Sequence, residues 1–494
     1  MKNFRSSIRR GAGLGAIVVM LGGCAVGPNF VRPALPNTDR YTHEPQPGAT
    51  VVADGQAQQF TPGAAIPADW WRLFESAQLD AVVREAITNN PTLQASEASL
   101  RQSQDNMRAG YGVFFPHIQA DAAVSRQQTA SAQTGSQSSG RIFNLMTLSG
   151  TVSYSLDVFG GARRTVESLR AQADYQNFEN KAAYLILSAN VVNTIIARAA
   201  YAAEIRATEQ LIELEKQQLR LTEAQFHAGM APYANVLSIR SLIAGNQALL
   251  APLKQNISQA EHLLATLEGV LPSQVALPDI DLAGLSLPAN LPVSLPSELV
   301  KQRPDILAAE AQMHAASAKI GVATAAMFPS FSLSGTYGVA GPNLNALTAA
   351  SGQFWSIGPS ATIPVFQGTS LWYGRRAAID VYQQSQANYR QTVLGAFEQV
   401  ADSLKALEHD AEGLQAQAEA QRTAGEALNL VQVSYGAGLA AYLDVLVADV
   451  QFHQTTIAYL QAVAQRHQDT VALFVALGGG WWNEQHPTAK GGVP

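Results

Sequence analysis

The sequence predicts an α+β membrane protein with four transmembrane strands per chain joined to very long helices in an internal two-fold repeat. Three observations lead there. First, Thr147-Leu-Ser-Gly-Thr-Val-Ser-Tyr-Ser-Leu-Asp157 alternates apolar and polar residues and passes directly into an unbroken helical pattern. Second, the landmarks of the first half recur in order in the second. Third, four strands cannot close on themselves, and lipid tolerates no open sheet edge. The chain therefore has to associate. Three copies give a homotrimeric twelve-stranded transmembrane β-barrel, wide enough for a lumen, continued by an α-helical coiled-coil barrel.

The elements follow in order. Residues 1–23 read as a signal peptide: Lys2, Arg5, Arg9 and Arg10 precede a short apolar run, Gly11 to Leu21, too short to span a bilayer. It ends in Leu21-Gly22-Gly23-Cys24. Cys24 is the one cysteine in 494 residues, so no intrachain disulfide can form. Two readings of it stand: a signal peptide with an incidental cysteine, or a lipid-attachment site. Residues 24–66 are rich in Pro, Gly and Gln without periodicity and read as an extended arm. Helical patterns start near Asp69-Trp70-Trp71 and again at Thr92, the first breaking before Asn90-Pro91 and the second stopping at Phe115-Pro116.

Strands are expected at about 117–126 and 146–158, followed by helices 161–228 and 232–268. From Ala162 to His227 no proline interrupts, and only helix-compatible residues appear. Such a helix is about 100 Å long, far longer than a globular domain needs. No segment after the signal peptide looks like a transmembrane helix; the nearest, 183–203, is broken by Ser188, Asn190, Asn193, Thr194 and Arg198. Repeat one thus covers 67–280, and a linker, 281–296, leads to repeat two, 297–478, with a tail at 479–494. Repeat two has strands at about 329–340 and 354–366 and helices 369–435 and 440–477.

The repeat rests on matched order and spacing. Pro91 and Pro116 match Pro304 and Pro329; 304 − 91 and 329 − 116 both give 213. LDVFGG near Phe159 matches IPVFQG near Phe366, and Gly229 in QFHAGMAPYANVL matches Gly438 in SYGAGLAAYLDVL. In the second half Phe331, Leu333, Gly335, Tyr337 and Val339 oppose Ser330, Ser332, Ser334 and Thr336. Trp355, Ile357, Ala361, Ile363 and Val365 oppose Ser356, Ser360 and Thr362. Strands of about ten residues suit a tilted bilayer crossing, although a soluble half-buried sheet would alternate in the same way. Val393, Phe397, Val400, Leu404, Leu407, Ala411, Leu414 and Ala418 recur at coiled-coil spacing, which an ordinary helical bundle also shares.

CAVGPNFVRP after LGGC, DWWRLFESAQLDAVV, the NNP and QRPDI motifs, FP at each strand start and the closing ALGGGWW together resemble the outer-membrane efflux protein family. They match in particular the lipoprotein branch, which serves tripartite resistance-nodulation-division pumps. The resemblance spans nearly all of 24–482. It implies a homotrimer in the outer membrane of a Gram-negative bacterium, extending into the periplasm. It implies cleavage before Cys24 and acylation there, with no other cofactor; each buried acyl methylene adds about 0.8 kcal/mol to anchoring in outer-membrane lipid. It also implies partners, a periplasmic adaptor (membrane fusion protein) and an inner-membrane pump of that class.

The resemblance locates the functional residues as well. The periplasmic, adaptor-docking tips would be the turns at Ala228, Gly229 and Met230 and at Ala437, Gly438 and Leu439. The periplasmic gate would lie just after the second turn, at Leu443, Asp444 and Val447. Val447 stands where relatives often have an acid; Val450 and Ala440 stand where some have arginine. An ion-pair latch at the tip is thus largely missing, which favours a constriction of Leu443 with a ring of Asp444. Asp444 is equally placed to start a helix, stabilised by its dipole. Lumen-facing candidates are Asp157, Ser153, Ser332, Ser334 and Thr336, with Asp157 also fitting a solvated rim. Trp481-Trp482 suit either an interfacial anchor or a packed helix cap, and Asp305 beside Arg303 has a plain reason to sit at a helix start.

The composition excludes other classes. A net charge of −6 gives no reason to expect nucleic acid. His43, His227 and His409 lack metal-ligand spacing, and no phosphate loop or nucleophile elbow appears, so no enzyme and no metal is expected. The leading function is a passive, gated exit duct for drugs or other toxic small molecules. A polypeptide-secretion duct and a poreless lipid-anchored coiled-coil tether are the alternatives; the tether leaves the four alternating strands unexplained.

Overall fold

The computed structural model describes residues 25–128 and 142–483. In chain order these form β1 (Gln59–Pro62), a 3-10 turn (Trp70–Phe74), α1 (Ala77–Asn89), α2 (Pro91–Gly110), β2 (His117–Gln128), β3 (Ile142–Leu156), α3 (Gly161–His227) and α4 (Tyr233–Leu267). Then come β4 (Asn290–Val293), α5 (Pro296–Gln302), α6 (Pro304–Ala325), β5 (Ser330–Gly341), β6 (Gln353–Thr362), α7 (Ser370–Gly436) and α8 (Tyr442–Ala476). α3 and α7 each have 67 residues, α4 and α8 each 35.

Each long helix stops in the same way. Gly229, Gly269, Gly438 and Gly478 have φ of 73°, 73°, 74° and 94°, the left-handed conformation that glycine adopts most cheaply. In each case the glycine N–H reaches back three residues and the next N–H reaches back five, as Met230 N does to Gln225 O and Leu439 N to Ser434 O. This double closure satisfies carbonyls the helix end would otherwise orphan.

The chain divides into two compact units. The first comprises residues 25–33, 100–176 and 309–389. Its sheet is antiparallel in the order β2-β3-β5-β6. The register sets Ala120 beside Gly150, Gly150 beside Tyr337 and Tyr337 beside Trp355. Because side chains alternate, Ile118, Val152, Tyr154, Leu333, Tyr337, Trp355 and Ile357 share one face. The other face carries Gln119, Ser149, Thr151, Ser153, Ser332, Ser334, Thr336 and Ser356. Hydroxyls pair across strands there, Thr151 with Thr336 at 3.2 Å and Ser332 with Ser360 at 2.8 Å. β2 and β6 are the unpaired edges.

β3 starts at Ile142, earlier than expected, and ends at Leu156 rather than 158. β6 stops at Thr362, so Ile363 and Val365 are not on the strand as expected; Pro364 has no N–H for the ladder. The N-terminal segment packs on this unit: Val26 N donates to Phe159 O, and Arg164 donates to Val26 O, Gly27 O and Asn29 Oδ1.

The second unit comprises residues 34–99, 177–308 and 390–483. Its core gathers the buried Trp70, Trp71 and Phe74, with Trp70 stacked on Phe474 of α8 at 5.5 Å. β1 and β4 form a parallel ladder in register from Gln59↔Asn290 to Pro62↔Val293. The arm and the linker, expected to be irregular, therefore pair; neither four-residue run is long enough to show a period. The expected coiled-coil stripe is the buried line of α7, with Val400, Leu404, Leu407, Ala411 and Leu414 all inside.

Two helices contain 18-residue windows long and apolar enough to cross a membrane by composition, α3 (hydropathy 1.3) and α4 (1.2), where none was expected. More than half of the α3 window is buried within the chain, as in a core helix.

Candidate functional site

The two helix hairpins of the second unit, α3–α4 and α7–α8, bring most of the expected site residues together. Glycine at 229 and 438 lets each chain reverse within a few residues, leaving Met230 74% and Leu439 84% exposed beside Ala228 and Ala437. The hairpins are tied behind these turns. Tyr435 Oη donates to Gln225 Oε1 at 3.1 Å, and the Tyr435 and Tyr442 rings lie 5.7 Å apart. Ile212, Ile239, Ile243 and Tyr442 form a buried cluster drawn from α3, α4 and α8, joined by the partly buried Leu219, Leu250, Tyr435 and Leu446.

Leu443 and Val447 are exposed on the first turns of α8, at 67% and 64%. Between them Asp444 accepts the Ala441 N–H at 2.9 Å through Oδ2. Its carboxylate thus occupies a helix start, where the dipole favours negative charge. This is the helix-start role that the sequence leaves open.

Deeper in the same hairpins lies a group that the sequence reading missed. Glu215 on α3 is 4% exposed, Asn246 on α4 and Asp449 on α8 each 8%. Asn246 Nδ2 donates to Glu215 Oε1 at 2.6 Å, while Glu215 Oε2 is buried without a partner. Burial chiefly, with the Asp449 charge added, pushes the Glu215 carboxyl up to about 7 against the opposing Asn246 hydrogen bond. Burial alone raises Asp449 to about 6. The signal was present in the sequence. Ile212, Glu215, Leu219 and Thr222 step along α3 at helical spacing, so an acid interrupts an apolar stripe.

The sheet positions Ser153, Ser332, Ser334 and Thr336 on its hydroxyl face. Asp157 does not join them. It lies beyond the end of β3, and its two carboxylate oxygens accept the Ala162 and Arg163 N–H groups, both at 2.9 Å. An acid one residue past the strand becomes the cap of α3. Trp481 is likewise a packed cap: its Nε1 donates to Gln302 O, and Lys181 Nζ lies 3.6 Å from its ring centroid. Cys24 lies outside the described residues; its neighbour Ala25 is packed so closely on Gly160 that a Cβ there would come within 2.6 Å of Ala25 Cα.

Comparison with known proteins places this geometry among relatives. The family model described as "Outer membrane efflux protein" matches residues 82–270 and 295–479. A "Toluene efflux pump outer membrane protein TtgC" of Pseudomonas putida is 28% identical over 480 residues, covering 95% of this chain and 96% of that protein. A "Cation efflux system protein CusC" of Escherichia coli is 26% identical over 472 residues, covering 94% and 98%. Among solved structures, the outer-membrane channel OprN superposes with a TM-score of 0.82 at 25% identity, covering 93% of this chain and all of that one.

Proposed function

The chain belongs to the outer membrane efflux protein family, and from that premise we propose that it is the outer-membrane duct of a tripartite efflux system. The observation that carries this reading is the four-stranded sheet, with one apolar face, one hydroxyl face and two unpaired edges. A lone sheet of this kind is unstable in lipid, because every backbone polar group there needs a partner. Pairing β6 of one copy with β2 of the next, three times over, leaves no edge and makes a twelve-stranded barrel. The apolar face then meets lipid, and the hydroxyl face, with Ser153, Ser332, Ser334 and Thr336, lines a wet lumen. Exposed Leu237, Leu249 and Leu263 on α4, and Leu430 and Val433 on α7, supply apolar surface for the same association.

The long helices carry the duct into the periplasm, and the two halves act as repeats of one unit. The turns at 228–230 and 437–439 dock a periplasmic adaptor, which links the duct to an inner-membrane pump of the resistance-nodulation-division class. Leu443, Asp444 and Val447 narrow the periplasmic end, with three copies of Asp444 favouring cations at the constriction. Acylation of Cys24 anchors the chain in outer-membrane lipid; the close seating of Ala25 on the turn after β3 supports an anchor at the base of the barrel. Cargo is small and toxic to the cell, in keeping with relatives named for toluene and cation efflux. The duct has no catalysis of its own; the pump supplies the energy.

Electron-microscope images of protein extracted from outer membranes test the assembly. Three-fold symmetric end views with a central lumen are expected. Monomers, or rods without a lumen, would remove the duct and leave a lipid-anchored tether.

A further inference from the structure

Glu215 and Asp449 sit where the hairpin α3–α4 meets the hairpin α7–α8. Tyr442, whose ring belongs to the buried cluster shared with α3 and α4, feels both acids: burial chiefly, with the Asp449 and Glu215 charges added, raises its hydroxyl's pKa. Among the described residues, neither acid is paired with a base. On α3 and α4, Lys216 and Arg220 turn to Glu213, Lys254 to Glu209 and Arg240 to Glu223. On α7, Arg422 is engaged by Glu419 and Glu426. α8 has no Lys or Arg between Tyr442 and Gln465, and burial lowers the pKa of its His453. The polar groups beside the pair are therefore Asn246 from α4 and Tyr442 from α8, the latter kept neutral by its raised pKa, with the Tyr435 ring of α7 lying against Tyr442. Glu215 Oε2 and, farther along α3, Thr222 Oγ1 are buried without partners.

We propose that Glu215 and Asp449 form a proton-operated latch between the two hairpins. A proton taken up by either carboxylate holds α7–α8 against α3–α4; its loss lets water into the seam and frees the hairpins to part.

The sign follows from burial. An ionised carboxylate in an apolar seam costs free energy unless it is paired. Two ionised carboxylates in one seam also repel each other. The packed seam raises both acids, to about 7 and about 6. Its stability relative to a hydrated, parted seam is therefore full below the ordinary carboxylate range. It declines as the pH rises through those raised values. A tip closed in mild acid would open more readily toward neutral and alkaline pH.

The latch rests on the duct reading, so its test has two readouts. Purified wild-type protein, Glu215→Gln and Asp449→Asn are placed in planar bilayers, and single-channel opening is recorded from about pH 5 to pH 8. The separation of the two tips is measured in parallel with spin labels on Met230→Cys and Leu439→Cys. Wild-type opening is expected to rise about tenfold or more over this range, since one pKa unit is a factor of ten. Tip separation should widen in step. Glu215→Gln should stay narrow and rarely open at every pH, with Asp449→Asn between. A Glu215→Gln protein that keeps the wild-type pH response in both readouts overturns the latch. Tips that follow pH in wild type alone, in a protein that never conducts, would keep the latch and reject the duct.

Discussion

Replacing Arg303 by methionine isolates the energetic role of one buried side chain. Arg303 is 6% exposed and serves three partners. Its Nη1 donates to Ala476 O at 2.7 Å, Nη2 to Gln399 Oε1 at 2.8 Å, and the fork spans both Asp305 oxygens at 3.0 and 2.6 Å. The Ala476 carbonyl is in the last turn of α8, where the helix offers no donor, so its loss leaves a buried acceptor unsatisfied, at about 1–3 kcal/mol. The Asp305 side chain is 42% exposed and regains water, which holds that pair to about 1 kcal/mol or less. Gln399 is exposed and also rehydrates. Methionine fills much of the volume, so little cavity cost is added. Arg303→Met should then destabilise each chain by about 1–4 kcal/mol, and Asp305→Asn by about 1 kcal/mol or less. Thermal unfolding in detergent, followed by circular dichroism at one protein concentration, compares them. A loss of under about 0.5 kcal/mol for Arg303→Met, or equal losses for both variants, would refute the assignment of the cost to the helix-end carbonyl.

Other substitutions test the turns, the anchor, the gate and a surface network. Gly229→Ala and Gly438→Ala meet no atom within 4 Å, so each should cost only the left-handed strain, about 1–2 kcal/mol. That cost should appear as faster hydrogen exchange confined to the turns. Gly269→Ala adds a clash, because its Cβ would lie 2.5 Å from Asn89 O, and should be clearly worse by the same measurement. Cys24→Ser should abolish lipid incorporation by mass spectrometry while the barrel keeps the protein in the membrane fraction; a wild-type protein that carries no acyl mass would mean the cysteine was never acylated. Asp444→Ala should weaken cation preference in bilayer conductance, and an unchanged preference rejects the ring at the constriction. For Asp80, burial pushes the carboxyl up, but hydrogen bonds from Arg72, Trp71 and Arg84 outweigh it and bring the value down to about 2. Its contribution is complete above the ordinary aspartate range and is lost as pH falls through about 2. Asp80→Asn should therefore cost about 1–2 kcal/mol at neutral pH, with the difference from wild type shrinking in acid denaturation.

Periodicity carried most of the architecture. The stripe from Leu148 to Leu156 and its counterpart from Phe331 to Val339 fixed which side chains share a face, since an alternating pattern allows only one such assignment. The long helices were legible to within about two residues because their last glycines, 229 and 438, sit at the end of unbroken helical runs. Elements with too few residues to show a period, β1 and β4, were not legible, and their pairing bridges the distant positions 59 and 290. Asp157 was expected on the strand because the alternation of residue types runs on past Leu156, where backbone pairing ends. Glu215 and Asp449 were overlooked for a different reason. Glu215 interrupts an apolar stripe on α3, but only packing α8 against α3 and α4 brings it near Asp449 in a dry place.

The order β2-β3-β5-β6 also constrains how the molecule comes into being. β3 is hydrogen-bonded to β5 through Leu156↔Phe331, so the central ladder of the sheet joins residues from opposite halves of the sequence. β1 and β4 repeat the arrangement through Phe60↔Leu291. Loops that long must be closed before their contacts offer any return, which makes folding slow. Neither half can complete the four-stranded sheet alone, so the sheet is whole only once β6 has been made. Cut between β3 and β5, the chain would have to reassemble from two molecules for this sheet to form; a single chain replaces an encounter between molecules with one within a molecule.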